Sequence, residues 1–252
     1  MSTPIATPRR ALAVMAHPDD VEFMAGGLVS RWAREGAELH YCLLTDGTGG
    51  SRDPSLTPAA LAELRRAEQR AAGALLGVAS YTFLGEPDGR LVASIALRLA
   101  IARVIRQVRP DTVLTCDPRF FYGPNYINHP DHRAAAEATL AAVMPLANTR
   151  LAALELLAER LEPHDVSRVL LAIPDQPTHW APLAEIDLER KIGAMQAHAS
   201  QVGGWDAASM IRQFAQAGGQ AARAAGLDCD MAEPYIEIVL RMPAEAARGD
   251  AA

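Results

Sequence analysis

The most regular feature of the chain is an alternation of short apolar runs with longer amphipathic segments. Apolar or alternating runs predict strands at residues 11–16, 38–45, 80–85, 111–116, 167–174 and 235–242. Helical periodicity predicts helices at residues 21–36, 58–76, 93–108, 131–145, 150–161, 187–199 and 206–226. Strands that alternate with helices imply βαβ units, so we expect a Rossmann-like, three-layer α/β/α fold with a mostly parallel sheet.

Polar and ionisable residues follow four of the predicted strands. In open α/β sheets, ligands bind beyond the carboxyl ends of the strands. The residues found there, in strand order, are His17, Asp19 and Asp20; Asp46 and Arg52; Asp88; and Asp117, Arg119, Tyr122, Tyr126, His129, Asp131 and His132. Because four separate strand ends deliver such groups to one rim, we expect a functional cleft there.

Two short motifs, HPDD at 17–20 and HPDH at 129–132, are the densest part of this set. Together they supply three imidazoles and three carboxylates. Two histidines and one carboxylate suit a catalytic divalent metal such as zinc, with a coordination position left for water. A second carboxylate would then be free to act as a general base. The proline in each motif keeps the preceding histidine out of helical geometry and suits the first turn of a helix.

Helix capping is the simpler explanation for the acidic residues of these motifs. Asp19 or Asp20 could cap the helix that follows the first strand, and Asp131 could cap its own helix. Capping accounts for one acid per helix. It does not account for histidines placed beside those acids in two separate motifs.

Composition and charge narrow the class of protein. The chain has 252 residues, half of them hydrophobic, which suits one domain over 1–252; we expect mobile tails at 1–9 and 244–252. The net charge of −6 argues against nucleic acid as a partner. Without a signal-like start or a 20-residue apolar run, we expect a cytoplasmic protein with no membrane span. Cys42 and Cys116 lie in apolar runs and are expected in the core.

Several stretches of the chain resemble, in order, the LmbE-like or PIG-L family of metal-dependent N-deacetylases. They include AHPDD at 16–20, LTDGTGGSR at 44–52, FLGEPDGRL at 83–91, NHPDHRAA at 128–135 and KIGAMQAHASQ at 191–201. The pairing of AHPDD with a downstream HPDH is highly specific. The resemblance implies a single deacetylase domain that acts on molecules containing N-acetylglucosamine.

The resemblance also implies roles for individual residues. It makes His17, Asp20 and His132 the metal ligands and Asp19 the general base. His129 would lie near the reacting carbonyl, where a cationic ring would stabilise the oxyanion, and Asp131 would orient His129.

Three further residues are candidates for binding substrate. Asp88 matches a family position that binds sugar hydroxyls, but the sequence PDG also forms ordinary turns. Arg52 could clamp an anion or a hydroxyl, or be a solvated loop arginine. Tyr126 could donate to the oxyanion, although it stands one residue away from the expected spacing.

The sequence therefore predicts a zinc-dependent hydrolase, with Fe²⁺ as another metal, that removes an acetyl group from a small amino-sugar substrate. One alternative is an amidase for a bulkier acyl group such as a thiol conjugate, for which the loop at 119–127 would be decisive. Another is a non-catalytic metal- or sugar-binding protein, which the spare carboxylate of Asp19 disfavours. The same ligand types serve non-haem iron oxygenases, but those commonly have β-barrel folds. Whether the chain forms a homo-oligomer is left open.

Overall fold

The structure is a computed structural model that describes residues 5–240. Its strands are β1 (Arg10–Met15), β2 (Glu38–Thr45), β3 (Ser80–Glu86), β4 (Thr112–Cys116), β5 (Tyr122–Gly123), β6 (Tyr126–Ile127), β7 (Arg168–Ala172), β8 (His179–Pro182) and β9 (Ala232–Val239). Its helices are α1 (Asp20–Arg34), α2 (Pro58–Leu76), α3 (Ile95–Val108), α4 (Pro130–Ala141), α5 (Leu154–Ala158), α6 (Glu185–Gln196), α7 (Ala199–Val202) and α8 (Ala207–Ala224).

Seven of these strands form one large twisted sheet in the order β3-β2-β1-β4-β7-β9-β8, and β5 and β6 form a separate hairpin. The pairings β3–β2, β2–β1, β1–β4 and β4–β7 are parallel, whereas β9 runs antiparallel to both β7 and β8. The predicted mostly parallel sheet is therefore confirmed. Strand β8 and the small β5–β6 hairpin were not predicted, because strands of four and two residues are too short to show a period.

Both faces of the sheet are buried, which explains why β1 is apolar throughout rather than alternating. Leu12 and Val14 pack with residues of α3 and α4, including Ile101 and Ala138. Ala13 and Met15 point to the other face and pack with residues of α1, α2 and α6. The three-layer arrangement follows from these two cores. Cys42 and Cys116 are buried in them, as expected.

Helix α2 begins and ends at residues that are typical of helix ends. The Thr57 hydroxyl accepts a hydrogen bond from the Ala60 N–H at 3.2 Å, and Pro58 occupies the first helical position. Gly77 ends the helix in the left-handed region, with φ 78°. The buried side of α2 carries three polar residues, Arg65, Glu68 and Gln69. Arg65 and Gln69 contact the loops after β2 and β1.

The continuous helix predicted over 150–161 is wrong. The chain forms a 3-10 turn at Arg150–Ala152, and α5 covers only Leu154–Ala158. The predicted helix at 131–145 likewise ends as α4 at Ala141 and continues as an irregular turn around Pro145. Buried Arg106 satisfies backbone groups that flank these irregular turns, since its guanidinium donates to the carbonyl oxygens of Leu146, Ala147, Thr149 and Leu161.

The ends of the chain are described only in part. Residues 1–4 and 244–252 of the predicted tails, and the last two residues of the strand predicted at 235–242, lie outside the described residues. Ile5 is buried, and its carbonyl oxygen accepts a hydrogen bond from Nη2 of Arg31 at 2.7 Å. Among residues 5–240, none of the helices combines the length and the apolar character needed to cross a bilayer.

Candidate metal centre and active site

The HPDD motif forms the tight turn between β1 and α1. Asp20 lies at the start of α1 and its Oδ2 accepts the backbone N–H of His17 at 2.9 Å. Asp19 has φ 101°, a left-handed conformation that costs energy for a residue with a side chain. Oε1 of Gln69 holds this conformation by accepting the Asp19 N–H at 3.0 Å. The Asp19 carboxylate makes no capping hydrogen bond to α1, so capping does not account for this residue.

The HPDH motif follows the β5–β6 hairpin and forms the N-cap and first turn of α4. His129 is the N-cap of α4, and its Nδ1 accepts the backbone N–H of Asp131 at 3.2 Å. His132 lies in the first turn, where its Nδ1 is 2.8 Å from Oδ1 of buried Asn128. Because Nδ2 of Asn128 donates to the carbonyl oxygen of Phe120 at 2.7 Å, Oδ1 is the atom that faces the ring. Asn128 thus fixes a tautomer of His132 that leaves Nε2 free to bind a metal.

The fold brings the three predicted metal ligands together. Nε2 of His132 lies 3.1 Å from Oδ1 of Asp20, and Nδ1 of His17 lies 3.4 Å from Oδ2 of the same carboxylate. One ligand atom from each residue lies within 4.8 Å of the others, and all three residues are buried. Two imidazole nitrogens and a carboxylate oxygen are a donor set that suits zinc and other divalent ions.

Two more carboxylates surround the far side of the His17 ring. Nε2 of His17 lies 3.1 Å from Oδ1 of Asp88 and 3.5 Å from Oδ2 of Asp131. Burial alone would lower the pKa of His17, but Asp20, Asp131 and Asp88 outweigh burial and raise it to about 12. Burial likewise opposes ionisation of Asp88, but His17 lowers its pKa to about 2. The cluster therefore favours a positive charge at its centre, as a cation site requires.

The carboxylate of Asp131 faces His17 rather than His129. Its carboxylate accepts the backbone N–H groups of Gly89 at 2.7 Å and Leu91 at 3.1 Å, and it faces His17. Its contact with His129 runs through its own backbone N–H. Burial and the charge of His17 lower the pKa of His129, which favours a neutral ring rather than the expected cation.

Asp19 lies beside the metal ligands, and Oδ2 of its carboxylate accepts a hydrogen bond from Nη2 of Arg65 at 2.9 Å. Burial raises the pKa of Asp19 to about 6, although the charge of Arg65 opposes this shift. A carboxyl group with such a pKa gains and loses a proton readily near neutral pH. Asp19 therefore suits a reaction in which one group must first accept a proton and later give it up.

Arg65 is the main residue at the site that the sequence interpretation missed. Its Nη1 donates to the carbonyl oxygen of Gly47 at 2.7 Å, and its Nη2 also donates to the carbonyl oxygen of Pro18. It joins the loop after β2 to the loop after β1. The sequence did contain an indication of this role. Arg65 lies on the buried face of α2 between Leu61 and Gln69, where a charged residue is expected only if it has a partner.

A buried polar network extends from Asp19 to the segment HASQ. Gln69, which holds the Asp19 backbone, also donates from Nε2 to Oε1 of Glu22 at 2.9 Å. Oε2 of Glu22 lies 3.4 Å from Nε2 of His198, and both side chains are fully buried. His198 is therefore a buried part of the network that supports the Asp19 backbone rather than an exposed residue of the site.

The three residues predicted to bind substrate differ in how close they lie to the metal-binding cluster. Asp88 lies in the cluster itself, where it also accepts the Gly49 N–H at 2.9 Å. Tyr126 is half exposed on β6 and lines a cavity next to His132. Arg52 is exposed on the loop before α2 and does not line that cavity.

The sequence matches a known protein family and a curated relative. Residues 12–143, more than half of the chain, match the PIG-L family described as GlcNAc-PI de-N-acetylase. A diacetylchitobiose deacetylase of Thermococcus kodakarensis is 30% identical over 80% of this chain and 73% of its own length.

Two solved structures show how widely this fold is used. The N,N'-diacetylchitobiose deacetylase of Pyrococcus horikoshii superposes with a TM-score of 0.82 and 26% identity, over 92% of this chain and 84% of that one. The 4-carboxy-2-hydroxymuconate hydratase of Pseudomonas putida KT2440 superposes with a TM-score of 0.73 and 25% identity, over 95% and 100% of the two chains. The fold alone therefore does not select the reaction.

Proposed function

This chain belongs to the PIG-L family of de-N-acetylases, and we propose that it hydrolyses the acetamide of an N-acetylglucosamine-type amino sugar. The observation that carries the proposal is the placement of Asp19. Three metal-binding side chains, His17, Asp20 and His132, converge beside it, while its own carboxylate is held by Arg65. A site that only bound metal or sugar would not need this additional carboxylate.

His17, Asp20 and His132 would hold a divalent ion, which we propose is zinc, with Fe²⁺ as the alternative. Such an ion, when bound, supplies Lewis acidity that polarises the amide carbonyl and makes water a better nucleophile. Asp20 is anchored by the His17 backbone and His132 by Asn128, so two ligands have fixed orientations before any metal binds.

Asp19 would handle the protons of the reaction. It accepts a proton from water as the water oxygen attacks the carbonyl carbon, and it gives that proton to the amine nitrogen as the C–N bond breaks. The products are acetate and a free amino sugar. Its pKa of about 6 allows both steps near neutral pH, and Arg65 keeps the carboxylate oriented throughout.

His129 would stabilise the negative charge that develops on the carbonyl oxygen. Because its Nδ1 accepts the Asp131 backbone N–H, the neutral ring carries its proton on Nε2 and can donate it as a hydrogen bond. Its ring lies 4.7 Å from that of His17, measured between centroids. We propose Tyr126 as a second donor and Asp88 and Arg52 as contacts for sugar hydroxyls, the exposed Arg52 having the weakest support.

The hydratase relative provides the competing reaction, and the lining of the cavity argues against it. A muconate that carries an added carboxyl group needs cationic partners. The lysine that lines the cavity, Lys191, already donates to Oε1 of Glu233 at 2.7 Å. The walls are otherwise mainly apolar, which fits an amide substrate better than a polycarboxylate.

The test is acetate release by protein purified without chelator. We expect acetate from at least one of N-acetylglucosamine, diacetylchitobiose and N-acetylglucosaminyl inositol, and loss of that activity in Asp19→Asn with metal retained. Release of bulkier acyl groups but not acetate would identify the amidase alternative. Hydration of 4-carboxy-2-hydroxymuconate without acetate release would refute the proposal. A cytoplasmic location remains a prediction, and the oligomeric state is left open.

A further inference from the structure

A cavity of about 680 Å³ extends from the active site into the part of the molecule between α1, α6, α8 and β9. Asp19, Asp20, His132 and Tyr126 form its inner end. Its walls are mostly aromatic or aliphatic, and include Phe23, Phe120, Trp180, Met195, Met210 and Phe214. Such a cavity binds non-polar groups, with orientation set by the few polar side chains at one end.

The charged side chains in the wall are already compensated. Lys191 and Glu233 are both buried and paired with each other at 2.7 Å. Glu233 also accepts hydrogen bonds from the backbone N–H groups of Gly27 at 3.0 Å and Leu28 at 2.9 Å, and from the Tyr235 hydroxyl at 2.8 Å. A ligand in the cavity therefore finds hydrophobic contacts along the wall rather than hydrogen-bond partners.

Neither the acetyl group nor the sugar ring suits this space. The acetyl group is far smaller than a cavity of about 680 Å³, a size that typically holds a whole drug-sized ligand. A sugar ring carries several hydroxyl groups, and burying these without partners is costly. The group that fits is large, non-polar and attached close to the amide.

We propose that the cavity binds a non-polar aglycone, so that the substrate is an alkyl or aryl glycoside of N-acetylglucosamine. This inference rests on the proposed function and specifies its substrate class. The apolar side chains at the cavity mouth agree with it, because Trp205 and Phe214 are 41% and 56% exposed. An aglycone that extends toward solvent would cover these two rings.

Helix α8 offers positions at which the cavity can be narrowed. Met210, Phe214, Ala217 and Ala221 all line the cavity, at the spacing of one helical face. Ala221 is exposed to solvent as well as to the cavity, so a larger side chain is tolerated there during folding. Ala224 is exposed on the same helix and does not line the cavity, which makes it the matched control.

The experiment compares methyl, butyl and octyl β-glycosides of N-acetylglucosamine below their critical micelle concentrations. We expect kcat/KM to rise at least about tenfold from methyl to octyl, since each buried methylene strengthens binding severalfold. Ala221→Trp should reduce the octyl advantage to within about twofold, because the cavity loses volume. Ala224→Trp should retain the full advantage.

Two results would overturn the proposal. One is a kcat/KM that does not change with alkyl chain length in an active enzyme. The other is faster hydrolysis of N-octanoylglucosamine than of octyl N-acetylglucosaminide, which would assign the cavity to the acyl group.

Calorimetry separates this proposal from the proposed function. The Kd of octyl β-glucosaminide, a product analogue, should be at least about tenfold lower than that of the methyl compound, and Ala221→Trp should remove the difference. If no glycoside releases acetate, the deacetylase function fails, whereas the Kd ratio still decides whether the cavity binds the alkyl group. Equal Kd values would refute the cavity assignment even in an active deacetylase.

Discussion

Nε2 of His132 lies 3.1 Å from Oδ1 of Asp20, although the two residues belong to motifs that are far apart in the sequence. The contact is possible because β1 and β4 are neighbours and both end at the same rim. His17 joins the same carboxylate from the β1–α1 turn. These three side chains are close enough to share one ion, with Asp19 beside it.

Asp19→Asn should remove proton transfer without removing the metal. The amide is isosteric with the carboxylate and can still face Arg65, but it cannot take a proton from water at neutral pH. We expect kcat to fall by about 10²–10⁴-fold with unchanged metal content, measured by acetate release and elemental analysis. Asp53→Asn, in an exposed loop, is the control and should retain normal turnover. Near-normal activity of Asp19→Asn would show that Asp19 is not the group that transfers the proton.

His132→Ala should abolish metal binding. The variant removes the imidazole that lies closest to Asp20 and leaves two ligands, too few for a stable catalytic site. Dialysed protein should contain little zinc, whereas His40→Ala, which alters a histidine on β2 outside the site, should bind one equivalent. Full occupancy of His132→Ala would show that His132 is not a ligand.

Asn128 should control metal affinity through the orientation of His132. Replacement by alanine removes the acceptor that fixes the His132 tautomer, so we expect zinc affinity to fall by about 10- to 100-fold in a chelator competition assay. Asn128→Asp keeps an acceptor oxygen and should recover most of the affinity. Equal zinc affinities for wild type and Asn128→Ala, in folded protein, would contradict this role.

Arg65 and Arg66 provide a matched pair on α2. Arg65→Met leaves Asp19 and the carbonyl groups of Gly47 and Pro18 without their buried donor, at a cost of about 1–3 kcal/mol for each unsatisfied group. We expect a lower melting temperature and, because Asp19 is no longer positioned, a kcat at least about tenfold lower with metal content unchanged.

Arg66→Met tests whether that effect is specific. Arg66 forms an exposed ion pair with Glu63, a kind of contact that contributes about 0–1 kcal/mol. Thermal unfolding and kcat should therefore both remain close to wild type. Equal losses of activity in Arg65→Met and Arg66→Met would show that the clamp on Asp19 has no particular role in turnover.

The sequence predicted the sheet and the grouping of HPDD with HPDH, because both depend on local signals. Buried parallel strands are apolar throughout, and prolines mark where strand gives way to helix. The role of Arg65 was missed because periodicity shows that a position is buried but not which distant carboxylate faces it. Asp131 was assigned to His129 for a similar reason, since only the fold shows that its carboxylate faces His17.

The helix predicted over 150–161 is interrupted in the structure. The segment is rich in alanine and leucine, which favour helix, but it forms a 3-10 turn at Arg150–Ala152 and only the short helix α5. Arg106 of α3 donates to the carbonyl oxygens of Leu146, Ala147 and Thr149 just before this segment, and periodicity along the chain does not show such contacts. The cavity was also beyond prediction. Its walls come from α1, α6, α8 and β9, and the separation of these elements is not encoded in any local pattern.

The most direct test of the central claim is anomalous diffraction at the zinc edge from crystals of the zinc-loaded protein. We predict a single strong peak within about 2.0–2.2 Å of ligand atoms from His17, Asp20 and His132, with the Asp19 carboxylate uncoordinated. A peak coordinated instead by Asp88, His129 and Asp131, or a peak bound by Asp19, would contradict the account.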